Sequence, residues 1–402
     1  MNKKLNHYKN VIHGFFVSIA TTIAEANTIL PLMVTYFGGG AILVGFLSSL
    51  LRGGAILVQL YAAFYAQGYT HMQKYMRRVF LARFLAWFFI GISIVFIGND
   101  YPNITLFCIG LGLFIFSFSA GFGAIYFKET IAKIFTKEYR GKSMAIRQFF
   151  SGFGALLSGA TAGYIIAVFD EPFSFGILFI ISSILMLFGF LAFGTIDEPI
   201  KQNITKKEKS FKLFLQNAKI LLKNDNKLQI QVITFLLAYS YLFSLPFIIV
   251  DASSKINLDG TAIASIITVQ MIGSMFSNIL WGKLSSNNKN KLISNITIIL
   301  HIVSISLAFI ASNIYVYMFI FFLSGAAMDG YRLCSTNLLI NIAPEDKRPV
   351  YSAIQSNITS FGIFFSILGG FILHFSSYSI LYSFTIFMLF LAFVFSLKLS
   401  EE

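Results

Sequence analysis

The sequence predicts an all-α polytopic membrane protein, with twelve transmembrane helices in two six-helix pseudo-symmetric bundles. Three observations carry that expectation. Of 402 residues, 56% are hydrophobic and only 12% charged; a soluble chain carries about 25% charged residues, so too little polar surface remains to coat water-exposed domains. The apolar residues, 47 phenylalanines among them, form unbroken runs of helix-spanning length, whereas a transmembrane barrel alternates apolar and polar positions over about ten residues. The basic residues return in every second loop, so the net charge of +13 is spread along the chain rather than gathered on one nucleic-acid-binding face.

Taken in order, the apolar runs place spans at 11–36, 41–67, 79–98, 103–132, 143–168, 174–194, 230–252, 260–282, 292–312, 315–342, 350–375 and 378–398. Each is long enough to cross a hydrocarbon core of roughly 30 Å in a helix. Lys3, Lys4 and Lys9 precede the first span, and Lys74, Arg77 and Arg78 separate the second from the third. Lys133, Lys137, Arg140 and Lys142 lie between the fourth and fifth; Lys289 and Lys291 follow the eighth, and Lys347 and Arg348 the tenth. The alternate loops hold Asp100, Asp170, Glu171, Asp251 and Asp259 against one base, Lys255. The positive-inside rule then puts both termini in the cytoplasm. A basic start followed by Ala24-Glu25-Ala26 imitates a signal peptide and its cleavage site, but the apolar stretch runs on through Leu30 and Met33, as a first span does. Cys108 and Cys334 fall inside apolar runs, so no disulfide framework is expected.

The longest polar stretch, 196–228, divides the chain into bundles 1–195 and 229–402. Within it Phe211, Phe214, Leu215, Ala218, Leu221 and Leu222 recur at helical spacing among Lys212, Lys219 and Lys223. That is an amphipathic cytoplasmic helix, lying either on the inner leaflet or against the ends of its own bundle. The two halves also repeat each other. The stretch 138–154 matches 346–362 at a constant offset, pairing Arg140 with Arg348, Ala145 with Ala353, Ile146 with Ile354, Phe153 with Phe361 and Gly154 with Gly362. A parallel duplication of six plus six helices is a transporter architecture with a midplane site between the halves.

With these features, and with Arg140-Gly141 ahead of the fifth span, the chain resembles the major facilitator superfamily over essentially its whole length. Leu30-Pro31, Gly38-Gly39, Val44-Gly45, Gly53-Gly54 and Gln59-Leu60 look like a prokaryotic branch of it. The family's loop motif, Gly-x-x-x-Asp-Arg-x-Gly-Arg-Arg, is degraded: Gly68 and Arg77-Arg78 remain in the 2–3 loop, but Met72 stands in the acidic place, and Ser286 does so in the 8–9 loop. The resemblance implies an integral, multi-pass protein of the cytoplasmic (inner) membrane. It also implies a monomer within the lipid bilayer, whose first, fourth, seventh and tenth helices line a central cavity.

A charge at mid-membrane costs about 2.5–3.5 kcal/mol on insertion scales, so each one asks for a reason. Glu25 lies near the middle of span 1, Arg52 of span 2 and Asp329 of span 10, with Arg332 one turn on; Lys128 and Glu129 lie in span 4, and Arg147 in span 5. Asp329 and Arg332, three residues apart, share a helix face. They either neutralise each other as a packing pair or face one ligand. Glu25 and Asp329 are the candidate proton carriers. Asn27, Arg52, Lys128, Glu129, Tyr241 and Arg332 are the candidate substrate contacts, and the small excess of bases at depth hints at an anionic or zwitterionic solute.

Other chemistries lack their residues. Gly141-Lys142-Ser143 imitates the end of a phosphate-binding loop, but Thr136 stands where its first glycine belongs and no strand precedes it. His7, His13, His71, His301 and His374 have no cysteine or carboxylate at ligand spacing, so neither a metal, a cofactor nor an enzyme is expected. The reading is a secondary active transporter of a small-molecule substrate, driven by protons or another coupling ion and without a nucleic-acid partner. The alternative is a non-transporting receptor or assembly factor of the same fold.

Overall fold

The computed structural model describes residues 2–23, 27–66, 69–135, 137–200, 211–344 and 348–401. Among them the chain is helical throughout, with no strand. In the N-terminal half the helices are α1 (Lys3–Ile23), α2 (Ile29–Tyr36), α3 (Ala41–Ala66), α4 (Gln73–Phe96), α5 (Pro102–Ile134), α6 (Lys137–Val168) and α7 (Phe173–Gly194). After the short α8 (Phe211–Asn224) come α9 (Asn226–Ala238), α10 (Leu245–Lys255), α11 (Gly260–Ser286), α12 (Asn290–Ile310), α13 (Ile314–Ile342), α14 (Arg348–Ser360), α15 (Phe365–Phe375) and α16 (Tyr378–Ser396). Ten helical segments among the described residues are long and apolar enough to cross a membrane. The first two expected crossings fall on α1 with α2, and on α3.

Three crossings differ from the continuous helices that their apolar runs suggest, the eleventh by a 3-10 turn at Phe361–Phe364 between α14 and α15. In the first, Thr28 ahead of α2 has a φ of −131° and a ψ of −80°, which are not helical. The seventh passes through a 3-10 turn at Tyr239–Phe243 before α10 begins. In the first and the seventh, a Leu-Pro pair follows the turn: Leu30-Pro31 and Leu245-Pro246. A proline has no amide hydrogen to return to the preceding turn, and its ring clashes there, so it is tolerated in the first turn of a new helix and not in the middle of an old one.

The chain forms two compact units, one of Met1–Gly39, Leu50–Lys209 and Asp259–Ala264, the other of Gly40–Ser49, Ser210–Leu258 and Ser265–Glu402. In the first, α1 packs on α6 and α7, and α4 on α5 and α7. Its interior holds the His13 ring among Phe80, Phe127, Phe190 and Phe193. Arg147 from α6 donates to the Asn10 carbonyl at 3.0 Å and to His13 Nδ1 at 2.8 Å. A guanidinium has only donors, so this nitrogen accepts and the histidine proton sits on Nε2. Arg147 therefore binds α1 to α6. In the second unit α12 packs on α13 and α16, and α9 on α14 and α16. Leu221 and Leu222 of α8 rest against Leu228, Val232, Leu339, Ala343, Tyr351 and Ile354, so the last turn of the amphipathic helix sits on the end of a bundle.

The start of α4 shows how the degraded loop motif is compensated. Its first residues expose amides that have no helical partner, and Met72 offers them no side-chain cap. Glu198, just past α7, supplies one. Its buried carboxylate accepts from the Met72 amide at 2.8 Å and from the Gln73 amide at 2.8 Å, and pairs with Lys133 of α5 at 2.6 Å. Unit two repeats the device. Lys289 gives α12 no side-chain cap, and Glu401, just past α16, accepts from the Lys291 amide at 2.9 Å while its carbonyl receives Asn341 of α13 at 3.0 Å. In each half a glutamate beyond the sixth helix joins the start of the third to the end of the fourth.

Replacing Glu198 with alanine leaves Lys133 and two helix-start amides without their partner. That loss is expected to cost on the order of 3 kcal/mol and to lower the unfolding temperature of the purified protein in detergent. Glu401→Ala, at a partly exposed site, should cost about 1 kcal/mol. If Glu198→Ala unfolds at the wild-type temperature, the carboxylate does not hold this junction.

Candidate functional site

The site forms where α11 and α13 touch backbone to backbone. A Cβ placed on Gly273 would stand 2.2 Å from the Phe322 carbonyl oxygen, and one on Gly325 2.1 Å from that of Gln270. No other residue type fits at that separation, and small residues that admit such approach are the usual means of helix association in membranes. Trp281, about two turns beyond Gly273 on α11, fastens the pair by donating its indole N–H to the Ala326 carbonyl at 3.0 Å.

This close approach brings Asp329, at the middle of α13, against the polar side of α11. Asp329 is 7% exposed. Its Oδ2 accepts from the Ser274 hydroxyl and from Asn278 Nδ2 at 2.8 Å, and its Oδ1 pairs with Arg332. The two members of the ion pair differ in one decisive respect: the Arg332 side chain is 71% exposed, its partner's 7%. Asn278 and Thr336 are also exposed, and Ser277 and Ser335 half-buried, so a polar strip runs along both helices beside the pair.

Of the remaining expected contacts, Glu25 lies outside the described residues, as does the Arg52 side chain. Asn27 is buried at the turn between α1 and α2. Lys128 is exposed and Glu129 half-buried on α5; as sequence neighbours they point to different sides of the helix, and neither has an ion pair among the described residues. Tyr241 is buried in the 3-10 turn, its ring stacked on His301 at 4.1 Å and 5°. It belongs to an aromatic group with Tyr239 and Tyr331, whose hydroxyl donates to the Phe235 carbonyl at 2.9 Å. Among the described candidates, only Asp329 and Arg332 are brought together.

Ser274 and Asn278 were not among the expected residues, although a signal for them exists. Gln270, Ser274 and Asn278 recur every four residues along an otherwise apolar helix, a polar stripe at the spacing of one helix face. Asn337 and Asn341, lower on α13, serve structure: Asn337 donates to Ser285 Oγ at 2.7 Å and Asn341 to the Glu401 carbonyl.

The fold and this paired charge define a polytopic α-helical membrane protein of duplicated six-helix design. The sequence profile of the Major Facilitator Superfamily matches residues 11–251 and 230–402, and the chain belongs to that family. No curated protein sequence matches it. Among solved structures, it is similar to the nucleoside transporter NupG, with 14% identity and a TM-score of 0.72 over 100% of both chains. It is also similar to a bacterial homologue of the iron transporter ferroportin in an inward-facing state, with 12% identity and a TM-score of 0.73 over 99% of each chain. A third likeness is to a D-xylose-proton symporter, with 15% identity and a TM-score of 0.71 over 99% of this chain and 97% of that one. At these identities the likeness is one of fold.

Gly325→Ala should force α11 and α13 apart and cost about 1–3 kcal/mol through overpacking, visible as a lowered unfolding temperature in detergent. Gly282→Ala, within the same helix and where a Cβ meets nothing within 4 Å, serves as the control and should stabilise by about 0.5–1 kcal/mol. Equal behaviour of the two variants would remove the close contact as the basis of the site.

Proposed function

We propose that this chain is a secondary active transporter of a small organic solute, working by alternating access of its two halves and driven by protons. One observation carries the reading: a carboxylate at the middle of a membrane-crossing helix is buried against a largely exposed guanidinium. Placing either charge in lipid is costly, and exposed polar groups at that depth are tolerated where they border water. The strip of Asn278, Ser277, Arg332, Ser335 and Thr336 is the face expected of a helix pair beside an aqueous path.

In this reading Asp329 carries the proton, with Glu25 as a second carrier on span 1, and Arg332 binds substrate. Asn27, Arg52, Lys128, Glu129 and Tyr241 are further contacts to be tested one by one. The breaks ahead of Leu30-Pro31 and Leu245-Pro246 support a site at that depth, because interrupted helices offer backbone groups to a solute. The basic loops favour both termini on the cytoplasmic side of the inner membrane by the positive-inside rule, and in this reading the protein acts as a monomer. Sharing a fold with a D-xylose-proton symporter makes protons the first coupling ion to test. Met72 and Ser286 in the degraded motifs are the argument for a non-transporting member, and Glu198 and Glu401 answer it by bringing carboxylates to the starts of α4 and α12.

In proteoliposomes, an imposed pH gradient should drive solute accumulation by the wild type. Asp329→Asn should abolish that accumulation while leaving solute exchange in the absence of a gradient, and Glu25→Gln should reduce it. Flux that ignores the gradient in all three proteins would exclude the proton-driven mechanism.

A further inference from the structure

The amphipathic helix between the halves is fastened at one end and carries its charges on a side that no partner covers. α8 has 14 residues, about 21 Å of helix. One residue, Asp225, separates it from α9, where the seventh crossing begins. Several contacts hold that junction. Gln229 donates to the Leu222 and Lys223 carbonyls at 3.0 Å each, satisfying two of the acceptors that a helix end leaves open. Asp225 accepts from the Leu228 amide at 3.0 Å through Oδ1, and the Tyr351 hydroxyl of α14 donates to Oδ2. With Leu221 and Leu222 packed on Leu339, Ala343 and Ile354, the end of α8 is carried as part of the second unit.

The other side of the helix is cationic. Lys212, Lys219 and Lys223 are exposed, with the exposed Gln216 between them. At about 100° per residue the three lysines fall within roughly 40° of one another, opposite Leu221. None has an ion pair among the described residues. Like charges one turn apart repel, so the fold gains nothing from this stripe. Beside it Ile220 stands 59% exposed. Lys223 lies about one helical turn ahead of the crossing, roughly 5 Å, inside a Debye length of about 8 Å. Lysines at that distance feel the field of anionic headgroups, which the inner leaflet carries. An acidic soluble partner would also attract the lysines, but it would leave the exposed isoleucine at the edge of the bilayer without a reason.

We infer that the lysine stripe of α8 is a docking surface for anionic phospholipid headgroups of the inner leaflet, with Ile220 against the acyl boundary. The helix keeps Leu221 and Leu222 on its own bundle and offers its charged side to the membrane. This surface rests on the cytoplasmic placement of the segment and not on the transport reading. Because α8 is joined to α9, α13 and α14, bound headgroups stabilise the second unit by mass action.

The test is thermal unfolding of the full-length protein in dodecyl maltoside micelles, titrated with phosphatidylglycerol, phosphatidylcholine or inorganic phosphate. Phosphatidylglycerol should raise the unfolding temperature saturably, while phosphatidylcholine and phosphate should not. High sodium chloride should remove most of the rise. The combined substitution Lys212→Gln, Lys219→Gln and Lys223→Gln should leave the lipid-free unfolding temperature unchanged and require at least tenfold more phosphatidylglycerol for half the effect. Lys212→Arg, Lys219→Arg and Lys223→Arg together should keep the wild-type response. Lys3→Gln with Lys4→Gln, in another basic segment, is the control and should respond as the wild type does. A wild-type response in the triple glutamine variant overturns the inference, as does an equal response to phosphatidylcholine or an equal loss in the Lys3 and Lys4 control. Stripe-dependent stabilisation by polyglutamate, with none by phosphatidylglycerol, assigns the lysines to an acidic protein and overturns it too. If the triple variant unfolds early without lipid, Lys219→Gln, Lys223→Gln and the salt dependence of the wild type decide by the same criteria.

Discussion

A glutamate reaching back to the start of a distant helix is the contact around which each half of this protein is organised. Amides at a helix start have no partner within their own helix, and in a membrane protein the loop that should cap them has little room and few polar neighbours. Glu198 serves α4 and ties in Lys133 of α5; Glu401 serves α12 and its carbonyl holds Asn341 of α13. Both attachments combine a hydrogen bond with the favourable field of a helix N-terminus. They fix the ends of the third, fourth and sixth helices in each half at one point, so the rest of each helix is aimed from there. That the same geometry recurs in both halves is what a duplicated ancestor leaves behind, even where the loop residues themselves have drifted to Met72 and Ser286.

Asp329 and its partners occupy helices whose placement depends on backbone contact rather than on charge. Gly273 and Gly325 let α11 and α13 meet, and only at that separation do a serine and an asparagine reach Asp329. The ion pair is asymmetric because of this. The carboxylate is drawn into the helix contact and satisfied there, while the longer arginine extends along the polar strip. With its carboxylate buried and its guanidinium exposed, the pair adds little net stability, since the cost of desolvating Asp329 offsets the attraction.

Arg147 illustrates how a charge at depth can serve packing instead. Read along the chain, it counts among the bases near a path for solute. In the folded unit it donates to Asn10 and His13 and stands 4.8 Å from the Phe127 ring, joining α1 to α6. The Tyr241 ring likewise stacks on His301, a partner far away along the chain. Neither assignment was legible in the sequence, because the partner of each lies far away along the chain and the identity of a partner across a helix contact leaves no mark in local spacing.

What the sequence determined by itself is the part set by local composition and length. Runs of apolar residues long enough for a bilayer dictate helices, since a backbone in hydrocarbon must satisfy its own hydrogen bonds. The repeated stretch around Arg140 and Arg348 marks the duplication, and the three-residue step from Asp329 to Arg332 marks a shared face. Tertiary structure alone decided which carboxylate replaces the missing loop acid, which helix completes the surroundings of Asp329, and which member of that ion pair is exposed. Those outcomes depend on the distance of approach between helices far apart in the chain, and that distance is set by packing, which no periodicity within a single helix records.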